Sequence, residues 1–331
     1  MVMTLFLQKL FGEFLLRTYQ NSKMKSSYSL SNLNPKMNNV LNLILFLVIL
    51  NVFAACSSSG REGVEEEQFA KYWYQGKAEI NVFDLQQSRY GEVRPGKAVM
   101  IFVTEDFSKS KQVKLDNPQD RPSDAQKVMK LNMTREFLTG VYPYHTMLSV
   151  FTPVYEEVPS PKLTSSVTEW CGQSFTQLNF KSGKYNAKLF SYFESEGDVE
   201  SKIDAKAEEE LFNLIRLNPD LVPMGNVNMI PSLIFQRFAH IPLKAEQATI
   251  SKRDLGSNQS EIEVVYSEIG RKISIRYQQF FPFEILGFTE TWTKSDGKQE
   301  VTTATRTNMQ LLEYWKQNEK VYEPLRKDLG L

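Results

Sequence analysis

The chain has 331 residues, with 39 basic and 39 acidic side chains and 12% aromatics. Residues 1–55 hold five of the basic residues (Lys9, Arg17, Lys23, Lys25, Lys36) and one acid (Glu13), so residues 56–331 carry 34 basic and 38 acidic side chains, a net charge of −4. That balance argues against a basic face for nucleic acid, the aromatic content excludes a disordered chain, and about 275 residues suffice for a large core in one or two domains.

Val40 to Cys56 reads VLNLILFLVILNVFAAC, with an unbroken apolar run from Leu43 to Leu50 and small residues Ala54 and Ala55 before the cysteine. This is the layout of a secretory signal, an apolar core followed by a small-residue processing site. A membrane span needs roughly 20 apolar residues, and Asn42, Asn51 and Ser57–Ser59 interrupt this run. Met24 and Met37 are better starts for such a signal than Met1, so residues 1–23, or 1–36, read as an over-long leader. The segment resembles a bacterial lipoprotein signal. In that family the cysteine takes a diacylglycerol and becomes the first mature residue, which implies lipidation of Cys56. Ser57 after the cysteine, by resemblance to known sorting patterns, implies the outer membrane. Residues 1–55 are thus expected to be leader and signal, 56–64 a lipidated tether, and 65–331 one mainly antiparallel β domain.

Past the tether, EEEQFAKYWYQG predicts a short helix. Acids open it, which suits the helix dipole, and Phe69, Tyr72 and Trp73 share a face. Strands follow. KAEINVFDL and KAVMIFVTEDF form a hairpin around RYGEVRPGK, and NPQDRPSD is a loop. VMKLNMTREF and YHTMLSVFTPVYE are strands. SSVTEWCGQSFTQLNF and KYNAKLFSYFES flank the turn KSGK. Ala205 to Leu217 predicts a helix with an apolar stripe of Leu211, Leu214 and Ile215, and Glu208, Glu209 and Glu210 on its solvated face. Met229 to Phe238 predicts a second helix. AEQATISKRD, IEVVYSEI, KISIRYQQF, ILGFTETWTK and QEVTTATRTNMQL are strands, with a hairpin turn at Ser295–Gly297. The end, from Leu312, predicts a helix interrupted by Pro324.

About ten strands arriving as local hairpins predict an α+β fold: a long, curved, half-barrel-like antiparallel sheet with helices packed on one face and a helical insertion near 203–240. Aromatics on both strand faces predict an apolar groove lined by Phe175, Phe190, Tyr192, Tyr277 and Trp292, which would take acyl chains or other apolar groups. The alternative is a fully covered scaffold for an envelope protein partner.

Catalytic patterns are sparse. Trp170-Cys171-Gly172-Gln173 begins like a thioredoxin-type site, but position 174 is Ser, so dithiol exchange lacks its second thiol. Cys171 remains a lone nucleophile with His145 or His240 as base, or a cysteine buried in a strand. The two histidines and two cysteines offer no zinc-binding spacing. The phosphate-cradling and nucleophile-elbow motifs are absent, and no cofactor is expected.

With the signal, the hairpin order and the ending YWKQNEKVYEPLRKDLGL together, the chain resembles a family of bacterial envelope lipoproteins of unassigned role, sometimes labelled septum formation inhibitor Maf. The Ser-x-Ser-Pro-Arg-Arg start of the Maf nucleotide pyrophosphatases is absent. The curved sheet is similar in architecture to the LolA/LolB lipoprotein carriers. The resemblance implies a non-catalytic, membrane-anchored protein facing the periplasm or cell surface, binding an apolar ligand or an envelope partner. A Cys171-dependent hydrolase and a nucleotide pyrophosphatase are the enzymatic alternatives.

Overall fold

The computed structural model describes residues 66–331; Cys56, the leader and the tether lie outside the described residues. Helix α1 (Glu66–Trp73) buries Phe69 and Trp73, four residues apart on one face. Gly76, at φ +76°, then turns the chain into the first strand, a conformation that costs glycine little.

Among the described residues, fifteen strands form one sheet. In chain order they are β1 (Ala78–Arg89), β2 (Glu92–Ser108), β3 (Ala125–Thr139), β4 (Tyr142–Pro153), β5 (Lys162–Glu169), β6 (Gly172–Lys181), β7 (Lys184–Ser191), β8 (Val199–Ile203), β9 (Lys206–Ala207), β10 (Gly225–Ile230), β11 (Glu246–Gly256), β12 (Gln259–Tyr266), β13 (Arg271–Gln278), β14 (Ile285–Thr293) and β15 (Gln299–Leu312). Helix α2 (Glu210–Leu217) follows β9, α3 (Leu233–Ala239) follows β10, and α4 (Leu325–Leu329) ends the chain. Among the described residues no helix is long and apolar enough to cross a membrane.

The sheet order is β8-β7-β6-β5-β4-β3-β2-β1-β15-β14-β13-β12-β11-β10-β9. Every pairing is antiparallel except β9 with β10. The first and last strands therefore meet at the centre, Ala78 opposite Leu312 and Gln86 opposite Thr303. The mid-chain strands β8 and β9 form the two edges, and only Asp204 and Ala205 separate them in sequence.

The sheet is bent hard. Arg135 on β3 and Glu290 on β14 sit four strand spacings apart, roughly 19 Å in a flat sheet, yet their side chains meet at 2.9 Å. Helix α2 lies inside the bend, and every one of its residues is buried. Phe212 packs edge-on to Phe288 of β14. Asn213 Nδ2 donates to Met129 O of β3 at 3.0 Å and to Thr152 Oγ1 of β4 at 2.9 Å. Arg216 pairs with Glu79 of β1 and lies over the rings of Trp73 and Phe102.

Three expectations need correction. Residues 206–207 form the short strand β9, and the helix begins only at Glu210. Glu208, Glu209 and Glu210 are buried, not solvated, because a helix enclosed by the sheet has no solvent face. The chain end is two 3-10 turns (Tyr314–Lys316 and Lys320–Tyr322) before the short α4.

Candidate functional site

Period-two alternation decides which side chains of β11 to β13 point inward. On β11 the inward row is Ala248, Ile250, Lys252; on β12 it is Ser260, Ile262, Val264, Tyr266; on β13 it is Arg271, Ile273, Ile275, Tyr277. The register sets Ser260 directly opposite Tyr277 and Ile262 opposite Lys252. Three polar side chains thus gather at one end of otherwise apolar rows.

A cleft of about 640 Å³ opens there. The chain leaving α2 makes a 3-10 turn, Pro219–Leu221, in which the Asn218 side chain accepts from Asp220 N. That turn presents Asp220 to Lys252, Oδ1 to Nζ 3.1 Å. The β13–β14 connection supplies the opposite wall. Its Phe280, Phe281 and Phe283 line the cleft, and Phe281 packs edge-on to Phe283 and to Tyr72. Phe283 sits at φ +56°, a left-handed conformation costing an aromatic residue on the order of 1–3 kcal/mol. Gln279 Nε2 donates to Ser260 Oγ and Asp254 Oδ1, both at 2.9 Å, which fixes that corner.

Tyr277 is 1% exposed; its hydroxyl oxygen faces two donors, Ser260 and Lys252, and no acceptor takes its own hydrogen. Burial lifts its pKa above the ordinary tyrosine value against the charge of Lys252 and the hydrogen bonds that Ser260 and Lys252 offer its oxygen, so it stays a neutral O–H donor. Burial pulls Lys252 down, but its bond to Asp220 and the nearby Tyr277 outweigh it, and the ammonium ends above the ordinary lysine value.

A second polar cluster lies in the interior beside α2 and α3. Arg271 pairs with Glu208 and, at 3.6 Å, with Glu290. Arg135 holds Glu290 through two bonds of 2.9 and 3.0 Å. Burial would raise the Glu290 carboxyl, but Arg135 and Arg271 hold it down at about 2. Glu209 does the reverse: burial first, then the charge of Glu208, push it up to about 8. Its Oε1 accepts from Leu233 N at 2.6 Å at the start of α3, and its Oε2 has no partner. Glu210 accepts from Ser160 N and Oγ. A cavity of about 40 Å³ beside Arg135, Arg271 and Glu290 has room for a water molecule.

The structure disperses the predicted groove. Phe175 and Phe190 are cross-strand neighbours on the outer face of β6 and β7, both exposed. Tyr192 is exposed and covers Gly172, where an added Cβ would lie 2.7 Å from its ring. Trp292 lines the interior at the opposite end of β14 from the cleft, edge-on to Phe235. Only Tyr277 belongs to the cleft. Alternation showed that these residues share strands, not which face each occupies.

Cys171 is exposed in the β5–β6 turn, not buried in a strand. A hydrogen bond to Glu169 and that residue's charge raise its thiol pKa, the opposite of what an activated nucleophile needs. His145 faces Glu136 at 3.8 Å, and His240 caps α3 with Nδ1 2.9 Å from Glu196. Among the described residues no group of three or more His, Cys, Asp and Glu is placed to hold a metal. Lys252, Asp220 and Ser260 escaped sequence reading. The one signal for Lys252 and Ser260 was a polar residue at an inward position of an apolar row; Asp220, in the turn after α2, carried none.

No protein-family model and no curated protein matches the chain. Among solved structures it is similar to a beta-barrel-like protein of the domain of unknown function DUF1849 from Brucella abortus. The TM-score is 0.42 at 9% identity, over 71% of this chain and 98% of that one.

Proposed function

We propose that this is a lipid-anchored envelope protein whose β domain binds a small amphipathic ligand in the end cleft without transforming it. In this reading Cys56 carries the lipid, the outer membrane holds the anchor, and the sheet is a half-barrel with α2 and α3 on its concave side. The observation that carries the reading is the buried Tyr277 hydroxyl, whose O–H finds no acceptor, at the floor of an aromatic-walled cleft. An unpaired buried donor costs about 1–3 kcal/mol, and a ligand acceptor removes that cost. Binding clefts of about 300–1,000 Å³ with an apolar wall and few polar groups are the usual form of small-ligand sites. A long acyl chain threaded through the interior fits less well, since α2 occupies it.

A hydrolase built on Cys171 is the weaker reading, because Glu169 disfavours the thiolate. Native mass spectrometry of protein released from membranes tests the proposal. A small molecule retained by wild type and lost from a Phe281→Ala, Phe283→Ala variant supports it. A stoichiometric protein partner with no small molecule sinks it in favour of a scaffold. Cys56→Ala tests the anchor: the variant is expected to leave the membrane fraction or stay unprocessed.

A further inference from the structure

The donor balance of the cleft defines its ligand more narrowly, and the inference rests on the reading above. Tyr277 O–H has no acceptor. Ser260 Oγ accepts from Gln279, and its own hydroxyl lies against the Tyr277 oxygen, from which a stronger acceptor can draw it. Lys252 spends one N–H on Asp220. Against these stand few acceptors. Asp254 is occupied by Gln279 and by Gly256 N. Asp220 is already paired, and its side chain is 80% exposed. The aromatic wall of Phe280, Phe281 and Phe283 lies on the other side.

We propose that the cleft takes a monoanionic carboxylate amphiphile, its head on Lys252, Tyr277 and Ser260 and its tail against the three phenylalanines. The head replaces Asp220 as the partner of Lys252. Asp220 swings back to water at little cost, since an exposed ion pair is worth only about 0–1 kcal/mol. A cationic ligand would meet Lys252 with no free carboxylate. A phosphate dianion would meet a single cation with Asp220 beside it, which leaves one charge unmatched. A neutral alcohol offers no charge to Lys252, and charge-assisted bonds are roughly twice as strong as neutral ones.

Isothermal titration of the full chain with decanoate, 1-decanol and decyl phosphate, each below its micelle concentration, separates these cases. Wild type is expected to bind decanoate about tenfold or more tighter than decanol, the effect of one charge-assisted bond. Lys252→Met is expected to abolish that preference by weakening decanoate, and Tyr277→Phe to weaken decanoate several-fold. Lys252 is partly exposed on its strand, so its replacement keeps the fold; an unshifted melting temperature checks this. Equal affinity for decanoate and decanol overturns the head assignment while leaving the cleft as a ligand site. Tighter binding of decyl phosphate, or a preference that survives in Lys252→Met, overturns it too. Failure of all three probes to bind overturns the cleft reading itself.

Discussion

The interior cluster and the end cleft use the same residue types to opposite ends. In the interior, Arg135, Arg271, Glu208 and Glu290 face each other, and each charged group touches an opposite one. Removing Arg271 leaves the buried Glu208 without its cation, and removing Glu290 leaves the buried Arg135 without its anion. In the cleft, a lysine pairs with an exposed aspartate, and a tyrosine O–H is left without an acceptor. Removing that hydroxyl relieves the fold. A buried polar group that stabilises is paired from within the chain; one that is kept at a cost has its partner elsewhere.

The sharpest test of this contrast is Arg271→Met. It strips Glu208 of its cation and Glu290 of one of two, and we expect a loss on the order of 3–5 kcal/mol. Urea unfolding followed by tryptophan fluorescence measures it. A loss no larger than that of a surface pair, about 0–1 kcal/mol, would place the cluster on the same footing as the cleft.

The next effect is a pH slope with two signs. Glu209 keeps its proton in the fold up to about 8, while the unfolded chain releases it near 4.5. The folded state therefore binds more protons in that window, and stability falls as pH rises through it, at up to about 1.4 kcal/mol per unit. Glu290 has its folded value depressed to about 2. Its contribution is present above 4.5 and is lost as pH falls toward 2. Unfolding measured from pH 3 to 9 should show both flanks. Glu209→Gln should flatten the alkaline one alone; a slope that survives unchanged would mean that Glu209 ionises in the fold.

The smallest effect has the opposite sign. Tyr277→Phe deletes a buried hydroxyl without an acceptor, and we expect stability unchanged or raised by about 1 kcal/mol while ligand affinity falls. A clear destabilisation would show that the hydroxyl serves the fold after all.

The hairpins were legible because their turns carry residues that tolerate positive φ. Ser182–Gly183 and Gly297 lie where KSGK and the Ser295–Gly297 turn predicted. The Trp170–Cys171 turn holds none of the usual turn residues, so β5 and β6 read as one strand. The stripe of Leu211, Leu214 and Ile215 marked α2 correctly. Its three glutamates looked solvated because their partners are remote in sequence: Arg271 for Glu208, Leu233 N for Glu209, Ser160 for Glu210. Such pairings depend on which strands become neighbours, and a local pattern cannot express that. The same limit explains the cleft. Tyr277 was visible as an aromatic in a strand, whereas Lys252 and Asp220 become a pair only once the turn after α2 reaches β11.

The central position of the first and last strands also governs what an incomplete chain can be. β1 is paired on one side by its neighbour in sequence, β2, but its other side waits for β15, the final strand. Until residues 299–312 arrive, the 12-residue β1 offers a row of open N–H and C=O groups from what should be the middle of the sheet. Such an edge is a template for strands of other molecules. A product truncated before Gln299 is therefore a seed for aggregation and not a smaller version of the protein.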